Sequence, residues 1–368
     1  MQFNGLCQIL NDITGVNKVN TKILKINVNS PEADKIEYAA KALKEGGTVA
    51  FPTETVYGLG ADALNTEAVK KIFEAKGRPA DNPLIVHISK IEEVDKLVES
   101  VSNDAKKLMS AFWPGPLTII MKKSNIIPQI ITAGLDTVAI RLPSHPIARE
   151  LIKTAGIPIA APSANISGKP SPTIAQHVVD DLFGKVDVII DGGTAAVGLE
   201  STVIDMSSEV PALLRPGGIT YEHLREILGD VQIDPAMLSK INADVIPRSP
   251  GMKYTHYSPN AEVVIVEGEK EKVVNAINQL VEIKRNKGLK VGVMALDETV
   301  KRYKADYVFS VGSENKPETI AANLFYKLRE FDQVGVNIIF AQSVSEKGIG
   351  MAIRNRLNKA AGYNIIKV

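Results

Sequence analysis

Residues 49–88 read VAFPTETVYGLGADALNTEAVKKIFEAKGRPADNPLIVHI, and this stretch sets the architecture of the chain. The apolar run Val49-Ala50-Phe51 predicts a short strand that stops at Pro52, because proline has no N–H to give a sheet ladder. A polar loop with Thr53, Glu54, Thr55 and Tyr57 follows, and Gly58 and Gly60 permit tight turns or close approach to a ligand. From Thr66 the spacing of Val69, Ile72 and Phe73 predicts a helix, ended by Gly77 and Pro79. Lys76 and Arg78 then sit at a helix C-terminus opposite a hydroxyl-rich loop. They either complement the helix dipole or face an anion. Leu84 to Ile88 is a continuous apolar run with one histidine, as expected of a strand buried on both faces. A lone histidine there is more often a satisfied core residue than a catalytic one.

Upstream, Ser30-Pro31 opens a helix whose Ile36, Ala39, Ala40 and Leu43 share one face before Gly46-Gly47 ends it. Downstream, Val138-Ala139-Ile140-Arg141-Leu142 places an arginine inside an apolar strand. Such a charge needs an anionic partner, supplied either by a protein carboxylate or by a ligand. Ile157 to Asn165 is a strand opening into a loop of small polar residues and Lys169, and Ser171-Pro172 is expected to start a helix whose N-terminus favours anions. That loop is ordinary turn chemistry or a ligand loop at a strand end. Val186–Ile190, Val203–Ile204 and Leu213–Leu214 complete the strands, with Glu200, Ser201 and Arg215 at their ends. Cations, hydroxyls and an amide thus recur at strand–loop junctions, a set suited to an anionic, phosphate-bearing ligand.

Residues 228–258 are punctuated by proline and end in the aromatic, basic segment Met252-Lys253-Tyr254-Thr255-His256-Tyr257, read as a loop folding over a site. From Ala261 onward strands and helices alternate, the pattern of a small, doubly wound parallel domain. Its last helix carries Arg354-Asn355-Arg356, read as an anion site or, preferably, a solvated basic face.

The chain has 368 residues, long for a single core, and 45% are apolar. A formal charge of +1 argues against a generally basic nucleic-acid coat. One cysteine, Cys7, excludes an intramolecular disulfide and suits a reducing cytoplasm; no run reaches the length of a membrane span, and no secretory signal is expected. No P-loop, complete dinucleotide fingerprint or H-E-x-x-H motif occurs, so any ATP site is of another kind.

Several blocks carry a resemblance: F-P-T-E-T-V-Y-G-L-G, K-G-R-P-x-x-N-P-L-I-V-H, W-P-G-P-L-T, R-L-P-x-H-P, A-P-S-A-N-x-S-G, G-L-E-S-T-V and L-L-R-P-G. Together they resemble the threonylcarbamoyl-AMP synthases, and P-G-M-K-Y-x-H-Y-x-P with the C-terminal domain resembles the longer, two-domain form. The resemblance implies an N-terminal extension (1–22), a twisted α/β catalytic domain with a concave positive face (23–228), a linker (229–259) and a smaller Rossmann-like parallel α/β domain (260–368). It implies synthesis of threonylcarbamoyl-AMP from L-threonine, bicarbonate or CO₂, and ATP with Mg²⁺, releasing pyrophosphate. Partner transferase proteins would then modify tRNA beside the anticodon. The family's catalytic signatures fall on Lys76, Arg78, Ser163 and Asn165. Its L-threonine site falls on Thr55, His87, Arg141, Ala161 (by backbone) and Ser201. Its ATP site falls on Arg78, Asn82, Thr137, Ser163, Ser171, Arg215 and Tyr254. On this reading Arg141 pairs with the substrate carboxylate, and the Tyr254 loop closes over the site. The alternative is a non-catalytic RNA-binding module using the same basic face.

Overall fold

A computed structural model describes residues 19–237 and 257–368. Most of the N-terminal extension, most of the linker and, with it, Tyr254 lie outside the described residues.

The first domain is built on an eleven-stranded mixed sheet of β1 (Lys22–Lys25), β2 (Val49–Phe51), β3 (Gly58–Asp62), β4 (Ile85–His87), β5 (Leu117–Lys122), β6 (Thr137–Arg141), β7 (Ile159–Ala160), β8 (Val188–Asp191), β9 (Thr202–Asp205), β10 (Ala212–Arg215) and β11 (Gln232–Ile233). Their spatial order is β1-β8-β2-β3-β7-β4-β6-β5-β9-β10-β11. Five of these strands are buried along their whole length and four more at all but one residue, which is why they read as apolar runs rather than as alternating patterns. One face packs on a cluster around Ile72, Leu108 and Ile140, the other on one around Leu43, Phe51 and Leu151.

The helices begin and end where local chemistry dictates. Helix Ala33–Lys44 buries Ile36, Ala39, Ala40 and Leu43, the stripe expected from their spacing. Helix Thr66–Lys76 is capped by Asn65, whose side chain accepts from the Glu67 and Ala68 amides, and stops at Gly77 in the left-handed region (φ 59). One expectation fails: no helix starts at Ser171-Pro172. The helix runs Ala175–Leu182, Ile174 at its N-cap gives no side-chain cap, and the Ser171 hydroxyl is taken up elsewhere.

The second domain is a five-stranded, all-parallel sheet of β12 (Glu262–Glu267), β13 (Val291–Ala295), β14 (Tyr307–Ser310), β15 (Ile338–Gln342) and β16 (Ile365–Lys367), ordered β14-β13-β15-β12-β16. Apolar clusters cover both faces, as a parallel sheet requires. The cluster on one face also takes in Val56 and Leu199 from loops of the first domain. Gly198 lies against the helix Pro317–Val334 so closely that an added Cβ would stand 2.5 Å from the Ala322 Cα.

Candidate active site

Strand register draws the site together. His87 pairs with Arg141, Arg141 with Thr118, Thr118 with Val203, and Val203 with Arg215, so one row across β4, β6, β5, β9 and β10 carries most of the chemistry. The register shifts between Leu213 and Arg215, a bulge of the kind that re-aims a side chain. His87, Arg141 and Arg215 line a pocket with Thr55, Arg78, Ala161, Ser163, Asn165, Lys169, Ser171, Glu200, Ser201 and Tyr257.

The Arg141 guanidinium is buried. Its Nη1 donates to Thr55 Oγ1 at 2.9 Å, and its Nη2 stands 2.7 Å from Glu54 Oε1, an ion pair outside hydrogen-bond geometry. Of the two partners open to Arg141 on the sequence, the structure provides the protein carboxylate while still turning the guanidinium to the pocket. Burial pushes the Glu54 carboxyl up, but the Arg141 charge brings it below its ordinary value, so it is ionised at neutral pH. His87 shares its Nδ1 with the Ile85 carbonyl at 3.2 Å; burial, then the Arg141 charge, push its pKa down to about 3. A neutral imidazole therefore faces the pocket. The Ala161 amide donates to the Ile85 carbonyl, which ties this strand end to β4.

Around the Lys76 loop the roles divide. Lys76 is 2% exposed, and its Nζ donates to the Ser163 and Asn165 carbonyls at 2.5 and 2.6 Å. Burial, with Arg78 nearby, holds its pKa well below the usual lysine value. It does not line the pocket; it braces the loop that does. Ser163 Oγ donates to Asn165 Oδ1 at 2.6 Å, and Asn165 Nδ2 donates to the Ile166 and Lys169 carbonyls, so the two signature side chains are locked together. Arg78 reaches the pocket rim and donates to the Asn82 carbonyl at 3.0 Å. Asn82 is fully buried, and neither polar atom of its amide has a partner among the described residues. Buried amides are seldom left so, but Asn82, expected in the ATP site, is not among the pocket residues.

Ser201 Oγ lies 2.7 Å from Thr118 Oγ1 and accepts from Arg215 Nη2 at 3.0 Å, while Arg215 Nε donates to the Ser201 carbonyl. Burial lowers the Arg215 pKa to about 10, which leaves it a cation. Ser171 donates to Glu200 Oε1. Thr137, expected in the ATP site, is not among the pocket residues; it pairs with Lys122 four residues before Arg141, roughly 13 Å along the strand.

Four pocket-side groups escaped the sequence reading as site residues: Glu54, Lys169, Glu200 and Tyr257. Tyr257 has φ 68 and hydrogen-bonds Glu200; burial pushes its hydroxyl up to about 12. The second domain supplies two buried arginines. Arg356 Nε donates to Glu200 Oε2 at 2.8 Å, and Arg329 Nη2 to Asp181 Oδ2 at 2.7 Å and to the Pro170 carbonyl at 2.6 Å. The preferred reading of Arg354-Asn355-Arg356 as a solvated face is therefore corrected: only Arg354 is outward, paired with Glu267 and Glu346, while Asn355 and Arg356 are buried. The signal was present, since Arg356 shares its side of the helix with Ala352, Ile353 and Ala360.

Among the described residues no group of three or more His, Cys, Asp or Glu could hold a metal, and no helix is long and apolar enough to cross a membrane. Comparison with known proteins decides the family. A family model described as "Telomere recombination" matches residues 41–217, and one described as "Threonylcarbamoyl-AMP synthase, C-terminal domain" matches 219–362. The threonylcarbamoyl-AMP synthase of Pyrococcus abyssi is 53% identical over 334 residues, covering 91% of this chain and 96% of that protein. The chain belongs to the threonylcarbamoyl-AMP synthase family. The Bacillus subtilis threonylcarbamoyl-AMP synthase is 50% identical, over 93% of this chain and 96% of its own length. The crystal structure of P. abyssi Sua5 complexed with L-threonine superposes with a TM-score of 0.89 at 51% identity, over 94% of this chain and 99% of that one. Family membership accounts for both domains, and the mixed sheet with its parallel companion is the fold that these relatives share.

Proposed function

We propose that the pocket makes threonylcarbamoyl-AMP from L-threonine, bicarbonate or CO₂, and ATP, with release of pyrophosphate. The observation that carries this is the buried Arg141 guanidinium beside Thr55 and a neutral His87, in a family whose relative is complexed with L-threonine. A guanidinium offers five N–H donors; among the described residues Nε and one N–H of Nη1 donate to protein groups while Nη2 is ion-paired with Glu54, which leaves N–H groups on both Nη atoms for a substrate carboxylate. Thr55 and Ser201 offer hydroxyls to the amino acid's polar atoms. With its Nδ1–H given to the Ile85 carbonyl, neutral His87 offers Nε2 as an acceptor without adding a charge next to Arg141.

The amino nitrogen takes up CO₂ as a carbamate, losing a proton to solvent. A carbamate oxygen then attacks the α-phosphorus of ATP, and the bond to the β-phosphate oxygen breaks so that pyrophosphate leaves. Arg78 and Arg215 stabilise charge on the phosphates, and the Ser171 hydroxyl holds the nucleotide. Lys76 acts at one remove, by fixing the loop that presents Ser163 and Asn165. The Mg²⁺ that accompanies ATP would be held mainly by the nucleotide's own oxygens, since the carboxylate lining the pocket, Glu200, is committed to protein partners. The product, a cytoplasmic intermediate, passes to transferase proteins that modify tRNA.

The test is pyrophosphate release from ATP and Mg²⁺ with L-threonine and bicarbonate supplied singly and together. Release is expected only with both, and should drop when L-serine replaces L-threonine. Release that ignores threonine would overturn the assignment.

A further inference from the structure

The seam between the domains runs directly beneath the nucleotide side of the pocket. Glu200 and Ser201 are consecutive, and the residue before them, Leu199, is buried in the second domain's core cluster. The Glu200 carboxylate is shared by three groups: Ser171 and Tyr257, which line the pocket, and Arg356, which is fully buried on the helix Gly350–Ala360 of the second domain. Arg356 makes this contact with its fork: Nε donates to Oε2 at 2.8 Å, Nη2 lies 3.5 Å from the Glu200 carbonyl, and Nη1 donates to Asn355 Oδ1 at 3.0 Å. Its guanidinium also stands 5.8 Å from the Tyr257 ring centroid. Arg215 lies within electrostatic reach of the same carboxylate while its Nε and Nη2 donate to Ser201, and Lys359, three residues after Arg356, is a third cation within that reach.

We propose that Arg356 is a positioning residue for the nucleotide half of the pocket: by holding the Glu200 carboxylate from the second domain, it keeps Glu200 from capturing Arg215. Two buried arginines compete for one buried carboxylate, and a buried carboxylate takes the cation within reach because desolvated charge must be paired. With Arg356 in place, Glu200 points its two oxygens at Arg356 and Ser171, and Arg215 stays on Ser201, directed toward the phosphates. Without the Arg356 charge, Glu200 swings to Arg215, neutralises it and drops the Ser171 hydroxyl. The second domain thereby sets nucleotide binding without touching nucleotide.

This inference rests on the assignment of Arg215 and Ser171 to the nucleotide, so the experiment separates the two. In Arg356→Gln the KM for ATP in pyrophosphate release should rise roughly tenfold or more, because a buried ion pair is broken on one side. L-threonine affinity by calorimetry should change much less than the ATP KM, since Arg141, Thr55 and His87 are untouched and only Ser201 loses its Arg215 partner. Arg356→Lys, which keeps the charge but not the fork, should fall between wild type and Arg356→Gln. The decisive arm is Arg356→Gln with Glu200→Gln: with no carboxylate to seize Arg215, the ATP KM should fall back toward wild type. A role in domain docking alone would leave the double variant as impaired as the single one. That result, or a wild-type ATP KM in Arg356→Gln, would overturn the positioning role. Should Arg356→Gln prove insoluble, Arg356→Met replaces it in both arms, and the two results are read in the same way. Wild-type protein that releases no pyrophosphate would instead overturn the proposed activity.

Discussion

Glu54 and Glu200 are both carboxylates buried against an arginine at the pocket, yet their pairs are built in different ways. Glu54 meets Arg141 within one domain, where the loop after β2 lies against the end of β6, so the same sheet that forms the core forms the pair. Glu200 meets Arg356 across 156 positions of sequence and a domain boundary, so its pair exists only once the second domain has docked. The amino-acid corner is thus a product of local strand register. The nucleotide corner is a product of tertiary assembly, and the two corners should fail under different insults.

The largest effect is expected at the local pair. Arg141→Ala leaves Glu54 buried without its cation, at a cost of about 3–5 kcal/mol of stability, and removes the group assigned to the substrate carboxylate. Turnover at limiting L-threonine should drop on the order of 10²–10³-fold, measured by pyrophosphate release beside denaturant unfolding. A variant as stable as wild type would show that Glu54 does not depend on Arg141, and the comparison would break.

A smaller effect, confined to the other corner, is expected from Gly198→Val. This residue has φ 75, and its Cβ would meet the backbone of Ala321 and Ala322. Strain and clash should prise the seam open, lower the melting temperature by several degrees and raise the ATP KM, with L-threonine affinity unchanged. An equal loss of threonine affinity would mean that the corners cannot be separated.

The smallest effect is a pH dependence. His87 in the sheet and His177 at the seam, where its ring lies 5.4 Å from that of Tyr326, both have pKa values near 3, chiefly because of burial. Their folded values lie below the unfolded value of about 6.5, so the unfolded chain binds more protons between pH 6.5 and 3, and stability falls as pH drops through that window. The histidines' contribution to melting temperature should be flat above about pH 7 and decline below 6.5, and His177→Gln should make the decline shallower. An unchanged slope would remove His177 from this account.

The catalytic domain's part of this picture was legible because it rests on short-range rules. The stripe of Ile36, Ala39, Ala40 and Leu43, the Gly77 stop and the apolar strand carrying His87 follow from periodicity and capping. Arg141 stood out because a charge in an apolar strand demands a partner, although sequence could not choose between a carboxylate of the protein and one of a ligand. What stayed hidden depends on contacts between distant segments. Lys76 reads as a cation available to anions until Ser163 and Asn165 fold back onto it. Ser171-Pro172 has the form of a helix start, but Glu200 takes the hydroxyl. Arg356 looked like solvent-facing charge because its helix carries basic residues on more than one side, and the carboxylate that buries it belongs to another domain.

Val56 and Leu199 give the seam a further meaning. Each sits one residue from a group that lines the pocket, and each is packed in the second domain's core rather than the first's. A loop whose apolar side chain belongs to a neighbouring core opens only when that core lets go, so the two loops should open in step with the second domain, as hydrogen exchange would read it. Loops at a binding site are usually the least protected part of a fold. Here their amides should exchange as slowly as those of the helix Pro317–Val334 on which they rest, so that the most reactive surface of the molecule is also one of its quietest.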